Sequence, residues 1–394
     1  MSDANFTIAP ALTRRTFLGG GVAALALPFA ETAAALVPAQ PDLDVFIRNE
    51  MKKANIPGLA AGFAKDGIVR FARGYGIADI ARRRAVSADT MFHIASVTKT
   101  VTATCIMRLV EAGKLALDEP VSSYLDFPVV NPRFPATPIT SRQLLMHTSS
   151  IADLKYYEID FRQLGHDASG TLRDFLWQYL TPAGSNYAGE TCFSAASPGA
   201  AWDYSNVGFA LLGYLADRVG ERDMREQSYR DIFRPLGMRH TSWTIRDTPA
   251  SVMAQGYDLA EGTLTPAEPV GFPDWPTGML RSSIRDFTKV VAASANGGKA
   301  GGVQIVGAAS MAQMLDMQTP AGLPAWLSGQ GLGWMAATLE GQAKPNHWGG
   351  DPGVFTAVYL DPANRSGVAI FSNLTASTAS KNAIKHIASR LFQM

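Results

Sequence analysis

The sequence predicts an α/β plus all-α architecture: an antiparallel sheet flanked by helices, built from both chain termini, with a helical lobe inserted between them. Three observations point there. Strand-like runs cluster near the start, at Gly58–Ala64 and Ile68–Gly74, and return near the end, at Leu332–Leu339, Val354–Leu360 and Gly367–Asn373. Between them, from about Leu115 to Met253, the chain reads as helices interrupted by proline and glycine. Lys65-Asp66-Gly67 joins the first two runs with the residues of a tight hairpin. Sheet-forming segments at both ends of a chain are most simply satisfied by one shared sheet. The expected lobes are an α/β lobe at about 36–95 and 254–394 and a helical lobe at about 96–253.

The elements follow in order. Residues 1–35 read as a leader: Arg14-Arg15 precedes an apolar stretch, Gly19 to Ala30, and small residues follow at Ala33-Ala34-Ala35. A charged head, an apolar segment and an A-x-A-like site make an export signal of the twin-arginine type, with cleavage expected near Ala35. The expected location is therefore periplasmic or secreted. The apolar run is too short and glycine-rich for a good membrane span, so no stable insertion of the mature chain is expected. Asp42 to Asn55 has the pattern of an amphipathic helix. Ser96 to Ala112 carries Val97, Val101, Cys105 and Leu109 at helical spacing and stops at Gly113. A last helix is expected from about Ala379 to Phe392.

Composition narrows the function. The chain has 394 residues, 47% hydrophobic and 18% charged, with a formal net charge of +1. That permits a large core and offers no electrostatic attraction for nucleic acid. A small ester or amide is the expected partner. The two cysteines, Cys105 and Cys192, are not expected to pair, since Cys105 falls inside an apolar helical run. No C-x-x-C, H-E-x-x-H or G-x-x-x-x-G-K-[ST] pattern occurs, so no metal or cofactor is expected.

The chemistry concentrates in three places. In Ser96-Val97-Thr98-Lys99 a serine and a lysine stand three apart at a helix start, on one face. Serine needs a base within hydrogen-bond reach, and a desolvated lysine can supply one. The helix N-terminus beside Ser96 suits a developing oxyanion. Tyr204-Ser205-Asn206 precedes an apolar helix: a tyrosine hydroxyl can shuttle a proton, and Asn206 can hold a carbonyl or position Lys99, or simply cap the helix. His347-Trp348-Gly349-Gly350, between expected strands, carries glycines that let a substrate approach a strand edge, although an ordinary glycine-rich hairpin has the same look. His147 is expected to be structural. Tyr156, Tyr157 and Trp177 are expected either in the core or around an apolar pocket.

Taken in this order, S-x-x-K, Y-x-N and H-x-G resemble the β-lactamase and penicillin-binding-protein superfamily, around class C β-lactamases, D,D-peptidases, D-aminopeptidases and family VIII esterases. Gly74–Asp79, Met91–Ser96, Leu144–Ser150 and Gly278–Ser283 resemble family segments around the motifs. The resemblance implies the β-lactamase/transpeptidase-like fold with its site in a crevice between lobes. It implies Ser96 as the acylated nucleophile, Lys99 as base, Tyr204 as activator of serine or water, and Asn206 as a positioning group. The N–H groups of Ser96 and, counting from His347, Gly350 would form the oxyanion hole. The family's usual lysine in the third motif is His347 here; in an esterase-like W-G-G register, Trp348 takes that place. Either way a permanent cation is missing, which favours an esterase over a potent β-lactamase. An amidase, a D-amino-acid peptidase, a weak β-lactamase, or a non-hydrolytic penicillin-binding or scaffold protein remain the alternatives.

Overall fold

The computed structural model describes residues 41–394, and the leader with its expected cleavage site lies outside the described residues. The central sheet has eight strands in the order Gly329–Gln330, Met335–Leu339, Gln342–Asp351, Val354–Asp361, Ser366–Ser372, Gly58–Lys65, Ile68–Asp79 and Arg84–Ala85. All its pairings are antiparallel. The seam between chain ends is the pairing of Gly58–Lys65 with Ser366–Ser372, which joins the termini in one sheet as the sequence pattern implies. The hairpin at Asp66-Gly67 takes φ of +54° and +72°, the left-handed geometry that a two-residue turn requires.

Strand alternation sorts the apolar side chains onto two faces. Leu59, Ala61, Phe63, Val368 and Ile370 face the helices Pro41–Lys53 and Thr378–Phe392, meeting Leu43, Ile47, Ile384 and Leu391. Ala60, Ala64, Ala369 and Phe371 face the opposite way, toward the helix Ile284–Ala295 and the main core. That helix packs close to the sheet because Gly62 leaves room. A Cβ there would lie 2.0 Å from the Thr288 hydroxyl.

Two differences from the sequence reading matter for the site. The helix expected from Ser96 begins as a tight 3₁₀ turn, Ala95–Thr98, and becomes α-helical only at Lys99–Glu111. Ala95 enters with φ of +45° and Val97 N–H donates to the Ile94 carbonyl, a three-residue closure that tightens the turn. The glycine-rich third motif is also no loose hairpin. His347 to Asp351 form the end of the strand Gln342–Asp351, and the turn is confined to Pro352-Gly353. Both cysteines are free and buried.

Candidate active site

Ser96 sits at the mouth of a cleft of about 550 Å³, with Tyr156, Tyr157, Tyr204, Asn206, Asp274, Thr277 and Gly350–Pro352 among its walls. Lys99 lies one turn deeper, fully buried. Its ammonium donates to Ser96 Oγ at 3.2 Å, Asn206 Oδ1 at 2.8 Å and the Thr277 carbonyl at 2.9 Å. Desolvation lowers its pKa to about 8, against the opposing pull of Asp274, Asp153 and Asp351. Two of its three partners can only accept. When the amine is neutral, its remaining N–H bonds are held by Asn206 and Thr277, and the lone pair is left facing Ser96.

The backbone around Lys99 is fixed from three directions. The nucleophile helix ties itself to the segment 276–280: Thr102 Oγ1 donates to the Pro276 carbonyl at 2.6 Å, and Leu280 N–H donates to Thr98 Oγ1 at 3.2 Å. Asn206 opens the helix Asn206–Gly220, whose N-cap is Ser205. Asp153, which sequence reasoning passed over, anchors this helix start. Its carboxylate accepts from the N–H groups of Asn206 (2.5 Å) and Val207 (3.2 Å) and from the Ser205 hydroxyl (2.9 Å). Burial still raises its pKa, to about 6.

Tyr204 is hydrogen-bonded to Ser96, and burial pushes its phenol above the usual tyrosine range, so it stands as a neutral phenol. The Lys99 nitrogen lies 5.0 Å from the centre of its ring. His147 stacks on the same ring, with centroids 4.3 Å apart, and its Nδ1 accepts from Ser205 N–H at 3.1 Å. An accepting Nδ1 and burial, which drives the pKa well down, keep this imidazole neutral and make it a wall for Tyr204.

The strand Gln342–Asp351 resolves the third motif. Asp351 and Val354 close the two-residue turn, so they are a hydrogen-bonded pair, and pairs alternate from there. Gly350, opposite Phe355, is then a position whose N–H points away from the neighbouring strand. On that far side the strand Met335–Leu339 stops pairing at Asn346. The Gly350 N–H is therefore presented on an open edge beside Ser96.

Side chains alternate likewise. Gly349 faces the nucleophile: a Cβ there would lie 2.3 Å from the Ile94 carbonyl and 3.0 Å from the Ser96 nitrogen. His347 shares that face but is buried, donating from Nδ1 to the Trp348 carbonyl at 2.9 Å, and burial lowers its pKa to about 3. It is a neutral imidazole and supplies no cation to the cleft. Trp348 points to the other face, where its indole N–H donates to Tyr359 at 2.9 Å and Lys385 lies over its ring. Neither His347 nor Trp348 lines the cleft; the W-G-G register, with Trp348 as a pocket wall, does not fit this strand. Of the aromatic residues, Tyr156 and Tyr157 reach the cleft, whereas Trp177 packs against the core.

These two glycines make separable predictions. Gly349→Ala forces its new Cβ against the backbone of Ile94 and Ser96, and a displacement near 1 Å there is expected to cost about 100-fold in kcat/KM. Gly350→Ala meets nothing closer than 3.8 Å and keeps its N–H, so it is expected to retain activity within a few-fold. Steady-state kinetics with one ester on both variants checks the contrast.

Residues 43–391 match the family model described as Beta-lactamase. The chain belongs to the β-lactamase family. Among curated proteins it is similar to Protein flp of Staphylococcus aureus (strain MRSA252), 26% identical over 63% of this chain and 47% of that protein. It is also similar to Esterase EstB of Burkholderia gladioli, 31% identical over 50% of each chain. The chain thus spans about half the length of these curated relatives. In structure it is similar to the D-amino acid amidase of Ochrobactrum anthropi SV3, with a TM-score of 0.72, 22% identity, and coverage of 89% of this chain and 98% of that one. At that identity the likeness shows the fold.

Proposed function

We propose that this protein is a serine hydrolase that acts on esters through an acyl-enzyme at Ser96. The observation that carries the reading is the Lys99 nitrogen held 3.2 Å from Ser96 Oγ by two fixed acceptors. Neutral Lys99 takes the Ser96 proton as Oγ attacks the substrate carbonyl carbon. The resulting oxyanion is met by the N–H groups of Ser96 and Gly350. As the carbon–oxygen bond to the leaving group breaks, the proton passes from Lys99 to the alcohol, with the Tyr204 hydroxyl as relay. Water then enters by the same route and gives a proton toward Lys99 as its oxygen bonds to the acyl carbon; the bond from that carbon to Ser96 Oγ breaks, Oγ takes the proton back from Lys99, and the carboxylic acid leaves. Tyr204 does this as a phenol, since its environment disfavours phenolate.

The preference for esters rests on the third motif and on the cations near the cleft. His347 is buried and neutral, and the cleft's Arg162 is bound by Asp160 at 2.8 Å through two parallel hydrogen bonds. A substrate carboxylate finds no unpaired cation among the described residues that line the cleft, and such a contact is worth about 1–3 kcal/mol. EstB, an esterase by name, supports the same reading. The test sets phenyl butyrate against nitrocefin on one preparation. The expected result is a kcat/KM at least about 100-fold higher for the neutral ester. Efficient nitrocefin turnover with a poor ester rate would refute the preference.

We further propose that residues 1–35 direct export. Replacing Arg14 and Arg15 with lysine is expected to abolish delivery to the periplasm, and unchanged periplasmic activity would contradict the twin-arginine route.

A further inference from the structure

We propose that Asp351 makes this enzyme selective for esters or amides carrying a positively charged amine close to the reacting carbonyl. The inference rests on the hydrolase reading and names the substrate class of that same cleft.

Asp351 directly follows Gly350 on the strand whose open edge borders Ser96, and its side chain shares the face of Gly349, toward the nucleophile. It lines the cleft with its side chain about a quarter exposed, at 24%. No hydrogen bond reaches it among the described residues. The nearest donor, His93 Nε2, is 3.5 Å away and already engaged with the Gly278 carbonyl at 2.7 Å. His93 is also neutral, its pKa lowered to about 3 by burial. A carboxylate half out of water with no partner is an expensive arrangement unless something arrives to pair with it.

Lys99 and Arg281 both favour the charged form of Asp351, but neither hydrogen-bonds to it. Lys99 is bound by its three acceptors. Arg281, buried behind the cleft, donates to the carbonyls of Met279 and Val270 and to no carboxylate. Arg162 is held by Asp160, and Lys155 by Glu158 at 2.8 Å. Of the cleft's acids, Asp274 already accepts from Thr277 Oγ1 at 2.7 Å and the Tyr156 hydroxyl at 3.1 Å. Asp351 is the acid left over. Burial holds its carboxyl up at about 7, and a bound ammonium would relieve that strain by favouring the charged form. The cleft attracts cationic substrates and repels anionic ones, so selection works by both contact and exclusion.

Two substrate pairs test this, each differing only in charge. Phenyl esters of alanine and of isobutyric acid, in which a methyl group takes the place of the ammonium, place or remove the cation in the acyl half. Butyrylcholine and 3,3-dimethylbutyl butyrate do so in the alcohol half. The wild-type enzyme is expected to favour the cationic member of at least one pair by about 10-fold or more in kcat/KM, and the responding pair shows which half binds. In Asp351→Asn that ratio is expected to fall toward one, and because it is a ratio it cancels any general loss of activity. A wild-type ratio near one in both pairs overturns the proposal whether or not the variant folds. A ratio that survives in Asp351→Asn overturns the role of Asp351. If the wild type turns over none of the four esters, the hydrolase reading itself fails, an outcome distinct from active but unselective turnover.

Discussion

Lys99→Met is expected to lower kcat by about 1,000-fold or more while leaving a folded protein, because general-base catalysis, the role proposed for Lys99, contributes on the order of 100- to 10,000-fold. Methionine matches the length of the lysine stem and removes only the nitrogen. The fold survives because a fully buried charge is replaced by an apolar chain, which offsets the loss of three hydrogen bonds. The pH profile gives the sharper signature. In the proposed mechanism the active form is the neutral amine, and its pKa is lowered to about 8. Wild-type kcat/KM for a neutral ester is therefore expected to rise with pH through about 8 and then level off. The residual rate of the variant should lack that limb. A variant that retains the limb would place the base elsewhere.

The second large effect falls on a residue that touches no substrate. Asp153→Ala removes the acceptor of three hydrogen bonds at the start of the helix carrying Asn206. Three buried donors lose their partner, and the helix N-terminus loses a negative charge that complements its dipole. The expected cost is about 3 kcal/mol or more of stability, visible as a lower Tm in thermal unfolding. Because Asn206 also holds Lys99, kcat is expected to fall even below the unfolding transition, with KM much less affected. Asp153→Asn keeps shape and one acceptor and is expected to fall between the two. Loss of stability with unchanged kcat would confine Asp153 to a structural role.

Much of this organisation is legible in the residues. The two-ended sheet follows from where the strand-like runs lie, and the hairpin at Asp66-Gly67 from two residues that accept positive φ. Ser96, Lys99, Tyr204 and Asn206 are legible as types at characteristic spacing, and the fold links them in one chain of contacts, Tyr204 to Ser96, Ser96 to Lys99 and Lys99 to Asn206. What the pattern hides is direction. Alternation along a strand decides that Gly349 and Asp351 face Ser96 while Trp348 faces Lys385, and that alternation is set by a register fixed only by pairing with Val354–Asp361. Burial is hidden too. His347 looks like a titrating group in the sequence and becomes a neutral one once enclosed. Asp153 and Asp274 lie far from the three motifs in sequence, and only tertiary contact discloses them. The one signal available for Asp351 was its place directly after two glycines on a strand edge.

The proposed acyl-enzyme at Ser96, with Lys99 as its base, can be trapped covalently. Incubation with a fluorophosphonate probe, followed by digestion and mass spectrometry, is the most direct measurement. The expected result is one adduct, on the peptide containing Ser96, absent in Ser96→Ala and strongly slowed in Lys99→Met. An adduct on any other serine, or full turnover by Ser96→Ala, would contradict the account.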